Sequence, residues 1–216
     1  MGIDIFSLIK DLLQPILWLL PLMFLVAFLR SPRAKGWFGE KRVAHQADFQ
    51  LAPDQYIAFH NVTIQDERGT TKIDHVYASV HGLFVVETKN MQGWIFGREN
   101  DAQWTQSIYR KKVRFQNPLR QNYRHMKALA ANLDIPLSQM HSVVVFSGDS
   151  TFKTSLPENV CTLANFTDYI LSFDHVIWTT QELAVICAKM ESVRLSNDRK
   201  THQSHVQHLR GKHASK

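Results

Sequence analysis

Apolar and polar positions change rhythm several times along this 216-residue chain. Residues 12–29 (LLQPILWLLPLMFLVAFL) carry no charge and one polar side chain, Gln14. From residue 36 the rhythm becomes helical. Glu40, Val43, Ala44 and Ala47 fall at i, i+3, i+4 and i+7, which predicts a short helix over 36–49 with Glu40 on its apolar face. Residues 56–65 and 73–79 then alternate as strands, and 83–86 is a compact apolar run. Turn signals at Gly69 and His81-Gly82 separate them. Further strands are expected at 93–97, 103–109 and 141–146, with a weaker one at 160–163. Asn117-Pro118 is a helix start, with Asn as cap and Pro in the first turn. Leu119, Tyr123, Met126, Ala130 and Leu133 form the apolar stripe of that helix, which ends near residue 132. Two more helices are read over 166–173 and 180–195. Strands and helices in this order predict an α/β fold around a mixed sheet flanked by helices.

The first 35 residues are of different material. The uncharged run spans roughly 27 Å as a helix, close to the ~30 Å hydrocarbon core of a bilayer, so one N-terminal transmembrane helix is expected. Asp4 and Asp11 precede it and no small-residue cleavage site follows, which disfavours a cleaved signal peptide. Arg30, Arg33, Lys35, Lys41 and Arg42 follow the run, against Lys10 alone before it. The positive-inside rule then predicts a single-pass protein of the inner (cytoplasmic) membrane, its C-terminal domain in the cytoplasm. The expected layout is an anchor and basic linker over 1–35, a core over 36–150, and an α/β extension over 151–195. A basic tail over 196–216, carrying His202, His205, His208 and His213, is expected to be disordered.

Composition narrows the partner. The net charge is +6, with 44% hydrophobic and 20% charged residues, so a core is available and a polyanionic partner is favoured, whether nucleic acid or an anionic membrane surface. Cys161 and Cys187, far apart, make neither a disulfide framework nor a zinc site.

Three polar residues interrupt the apolar hairpin IDHVYASVHGLFVVETKN: Asp74, Glu87 and Lys89. They are either solvent-face charges or a catalytic frame. With His81-Gly82 as the loop, Val80 pairs with Leu83, Asp74 lies opposite Lys89, and Val76 lies opposite Glu87. Alternation then sends all three from one face near the open end. Two carboxylates and a backbone carbonyl such as that of Thr88 are hard oxygen ligands suited to Mg2+ or Mn2+. Such an ion polarises a phosphoryl oxygen and acidifies water, and Lys89 beside it would offset transition-state charge.

The spacing D-x12-E-x-K resembles the active-site motif of restriction-endonuclease-like, PD-(D/E)xK, nucleases. GWFGEKRV at 36–43, the hairpin with its flanks at 72–97, QWTQ at 103–106 and FQNPLRQNYRHMKAL at 115–129 more closely resemble the nuclease-related domain, NERD. The resemblance implies a restriction-endonuclease-like core, Glu40, Asp74, Glu87 and Lys89 as the catalytic set, and metal-dependent hydrolysis of DNA. Gln121 and His125, four apart on the following helix, would by the same resemblance position a phosphate or the attacking water.

Between residues 102 and 133 the only charged side chains are basic: Arg110, Lys111, Lys112, Arg114, Arg120, Arg124 and Lys127. Trp104, Tyr109, Phe115 and Tyr123 are interleaved with them. Basic groups that neutralise phosphates and aromatics that stack on unpaired bases favour DNA as the partner, with anionic lipid as the competing reading. A non-catalytic module that binds nucleic acid or protein at the membrane is the alternative function.

Overall fold

The computed structural model describes residues 5–67 and 69–195; within the first helix the side chains of 5–13 and 15–17 lie outside that description. The histidine tail, 196–216, falls outside it too. The chain divides into two units, residues 1–38 and 39–216.

In the first unit, α1 (Ile5–Arg30) is one continuous helix, and α2 (Pro32–Gln50) begins there and runs on into the second. Pro32 occupies the first helical position of α2, where its missing N–H costs nothing. The predicted membrane-spanning helix falls within α1. Yet among the described residues no helix is long and apolar enough to cross a membrane.

The second unit is built on two sheets. β1 (Ile57–Asp66), β2 (Gly69–Ser79) and β3 (Gly82–Lys89) form an antiparallel meander. Next come β4 (Gly93–Phe96), β5 (Gln103–Ile108), β6 (Lys111–Gln116) and helix α3 (Pro118–Leu133). A 3-10 turn leads into β7 (Met140–Phe146), then β8 (Ser150–Phe152), β9 (Val160–Thr162), α4 (Phe166–Leu171) and α5 (Thr180–Val193). The large sheet has the order β1-β2-β3-β7-β9 and the small one β6-β5-β4-β8. β3 is central in the large sheet, antiparallel to β2 and parallel to β7. Its Val85 and Val86 are fully buried on opposite faces, as a central strand covered on both sides requires.

α3 and α5 cover one face, where Met126, Leu129, Leu133, Leu183 and Met190 pack on Val76, Ala78, Leu83 and Val85. α2 and α4 cover the other through Val43, Ala47, Phe166 and Ile170 against Tyr77, Phe84, Val143 and Val145. Of the predicted stripe on α3, Met126 and Leu133 are buried but Tyr123 is half exposed. Asn122 is buried in its stead, its Nδ2 donating to Val85 O (2.7 Å) and Ser142 Oγ (2.9 Å). Hydrogen bonding, which no hydrophobic count registers, turned the helix. β6 and β8 were not foreseen. β6 is an edge strand rich in charge, which reads as a polar run, and β8 has only 3 residues.

Candidate active site

Glu87 and Lys89 sit at the C-terminal end of β3. The β2–β3 register differs from the expected one by two residues. Ser79 pairs with Gly82, so the loop is Val80-His81, and Val76 pairs with Val85. Gly82 takes φ 116 and comes so near Gln139 O that a Cβ would lie 2.7 Å away, so it starts the strand where another residue would clash. Because the shift is even, the faces keep their parity while the partners change. Continued one step past His75↔Val86, the register sets Asp74 opposite Glu87, not Lys89.

Straight alternation also fails around Asp74. Ile73 and Val76 share one core cluster although they are three apart. Across from Asp74, between His60↔His75 and Val62↔Ile73, Asn61 adopts a left-handed φ of 53. Asp74 thus stands where β2 leaves its regular pairing, and its Oδ2 accepts the Thr88 backbone N–H at 2.9 Å.

Glu87 is 3% exposed and held at both oxygens. Lys89 Nζ contacts Oε1, and His125 Nε2 lies 3.2 Å from Oε2. The same Lys89 Nζ donates to Gln121 Oε1 at 3.0 Å. Gln121 and His125 reach this point because Asn117 fixes the start of α3. Its Oδ1 caps Leu119 N (2.9 Å), and its Nδ2 donates to Glu99 O and Asp101 O. One turn along α3, His125 Nδ1 meets Thr71 Oγ1 at 2.9 Å. His125 is thus held at both ring nitrogens, Nε2 by the Glu87 carboxylate and Nδ1 by the threonine hydroxyl. Thr71 was invisible in the sequence, since no spacing rule relates it to His125.

Electrostatics set the two acids apart. Burial pushes Glu87 up, but the hydrogen bonds and charges of His125 and Lys89 outweigh it, and its carboxyl lies below the ordinary range. Asp74 is raised by burial first, then by the charges of Glu87 and Glu40; the Thr88 N–H and Lys72 only partly offset them. Glu40, from α2, faces Lys72 Nζ at 3.3 Å. The structure therefore joins Glu87, Lys89, Gln121 and His125 in one network and sets Asp74 and Glu40 beside it without a direct bond. Thr88 contributes its peptide N–H to Asp74.

The basic residues divide. Arg120 Nη2 donates to Asn100 O (2.6 Å), and Arg124 lies 3.9 Å from Asp66. Lys127 is exposed on α3. Arg110, Lys111, Lys112 and Arg114 are exposed around the β5–β6 turn, and none forms an ion pair among the described residues. Of the four aromatics, Trp104 and Phe115 pack on one another at the small sheet's core, whereas Tyr109 and Tyr123 are exposed.

The family model of the nuclease-related domain matches residues 35–147, just over half of the chain and all six of the acid-site side chains named above from Glu40 to His125. The chain belongs to the NERD family. NERD has the restriction-endonuclease-like fold, and the mixed sheet flanked by helices is this chain's version of it. An uncharacterized protein of Bacillus anthracis is 52% identical over 99 residues, 45% of this chain. The chain spans 46% of that relative's length. A crystal structure of a protein of unknown function is also similar, with 13% identity and a TM-score of 0.28, covering 81% of this chain and 96% of the other.

Proposed function

We propose that this NERD protein is a membrane-anchored nuclease that hydrolyses DNA phosphodiester bonds with Mg2+ or Mn2+. The observation that carries the reading is the asymmetry of the two acids: Glu87 is compensated by Lys89 and His125, while Asp74 is destabilised as an anion by burial, Glu87 and Glu40. Such a carboxylate pair is short of positive charge on the Asp74 side, and a hard divalent ion fits there. Among the described residues no three or more His, Cys, Asp or Glu side chains converge into a ready-made cage. Mg2+ needs none, since it keeps several waters and takes one or two carboxylates.

Asp74 and Glu87 would hold the ion, with the Thr88 carbonyl as a neutral ligand. When bound, it would supply phosphoryl polarisation and an acidified water. Lys89, with one proton committed to Gln121 Oε1, is oriented to offset the charge that develops on the phosphoryl oxygens. His125 and Thr71 keep Glu87 in place, and Glu40 adds negative charge toward Asp74. Arg110, Lys111, Lys112, Arg114 and Lys127 would contact the DNA backbone. The anchor is the uncharged run at 12–29, supported by exposed Trp18, Met23, Phe24 and Phe28; the basic residues after it would place the domain in the cytoplasm.

A second reading, a non-catalytic nucleic-acid- or protein-binding module, draws on the fact that both Glu87 oxygens already have protein partners. Incubating the purified full-length chain with plasmid and oligonucleotide DNA, with Mg2+, Mn2+ or EDTA, separates the two. Metal-dependent cleavage lost in Lys89→Ala supports the nuclease. DNA binding without cleavage under any metal supports the module.

A further inference from the structure

The turn between β5 and β6 is built against local preference. Ile108 pairs with Lys111, leaving the two-residue loop Tyr109-Arg110. Tight hairpin loops want Gly, Asn or Asp where φ is positive, yet Tyr109 adopts φ 52. Its ring is 100% exposed, so packing does not hold it there. A large aromatic kept at a strained position with no packing reward is the kind of local conflict that functional sites carry.

The surroundings define what such a ring meets. Gln106, Ile108, Lys111 and Val113 share one face of the hairpin by register, and Lys112 and Arg114 point from the other. The first face, with Tyr109 and Arg110, lines a cavity of about 580 Å3 whose surface is mostly apolar. Ile108 and Val113 lie open in it. Basic groups thus stand on both faces around an apolar floor with an aromatic rim.

We propose that the β5–β6 tip is a stacking platform for an unpaired base. Tyr109 lies on the base, and Arg110, Lys111, Lys112 and Arg114 hold the neighbouring phosphates. A bilayer is the poorer occupant. Membrane-inserting tips carry apolar side chains foremost and charges behind, whereas here Arg110 shares the loop with Tyr109, and Lys111, paired with Ile108, stands level with it. Single-strand binders combine a basic groove with an aromatic base platform, and that is the combination present. Gln106, the amide side chain among the described lining residues, is already committed, its Nε2 donating to Gln92 O at 2.8 Å. The inference rests on nucleic acid being the partner, but not on cleavage.

The test is fluorescence anisotropy of the full-length chain in EDTA, with a labelled oligothymidine and a duplex of equal length. Tyr109→Ala should weaken single-strand binding about tenfold, in line with loss of one stacked base, and duplex binding far less. Tyr109→Trp should restore it. Equal single-strand affinity in wild type and Tyr109→Ala overturns the platform, as does an equal loss on duplex. Loss of binding to phosphatidylserine vesicles in Tyr109→Ala, with single-strand binding intact, would assign the tip to lipid and also overturn it. If Tyr109-dependent binding holds and metal never produces cleavage, the nuclease reading fails and this one stands.

Discussion

The molecule contains two β-hairpins that use charge in opposite ways. In β2–β3 the charged residues lie at the open end, within the sheet, and each of Glu87's oxygens has a cationic or donor partner. In β5–β6 they lie at the tip, in solvent and without ion-pair partners among the described residues. Burial accounts for the difference. A carboxylate removed from water must find compensation or lose its charge, so the buried hairpin assembles a network. An exposed lysine needs none and stays available for an external phosphate. In the function proposed above, the first hairpin carries the chemistry and the second holds the nucleic acid.

Substitutions that exploit burial should separate the two most strongly. Lys89→Ala leaves Glu87 buried with one cationic partner fewer, and we expect a loss of about 3 kcal/mol in denaturant unfolding. Lys112→Ala should leave the midpoint nearly unchanged. Similar losses at both sites would erase the distinction.

Next in size is a pH effect confined to the buried hairpin. His75 Nδ1 and His60 Nδ1 lie 2.8 Å apart, and burial, then the His60 charge, push His75 from 6.5 down to about 3. A depressed folded value means that the unfolded chain takes up the proton first. Stability from His75 is therefore present above pH 6.5 and is lost as pH falls toward 3. Relative to wild type, His75→Phe should retain about 2 kcal/mol more across that window, read from urea midpoints at several pH values. Parallel pH profiles would refute it.

Thr71→Val removes the hydroxyl facing His125 Nδ1 and should cost about 1 kcal/mol. It should also shift the His125 imidazole nitrogen resonances, because Nδ1 loses its hydrogen-bond partner; an unchanged spectrum would show that Thr71 does not position it. Smallest is the tip. Tyr109→Gly relieves the positive φ and should raise the melting temperature slightly while weakening single-strand binding. Lower stability would mean that the ring has a packing role.

The sequence was most legible where backbone chemistry is local. Asn117-Pro118 announced the start of α3, and the alternating and compact apolar runs announced β1, β2, β3 and β7. The family was legible because its segments kept their order. Register was not, because Val80-His81 and His81-Gly82 are both two-residue loops, and the local sequence does not choose between them. The irregularity at Asn61 and Asp74 was hidden for the same reason, being a property of two strands together. Asn122 and Thr71 were missed because they act through tertiary hydrogen bonds.

The division between a chemical hairpin and a holding hairpin is tested most directly by a steady-state comparison on DNA. Metal-dependent cleavage by the full-length chain would be measured as kcat and KM for wild type, Asp74→Ala, and a Lys112→Ala/Arg114→Ala double variant. The account predicts that Asp74→Ala loses kcat by about a thousandfold or more while DNA affinity holds, and that the double variant raises KM with kcat little changed. Wild-type turnover in Asp74→Ala would contradict it, as would a double variant that lost kcat at saturating DNA.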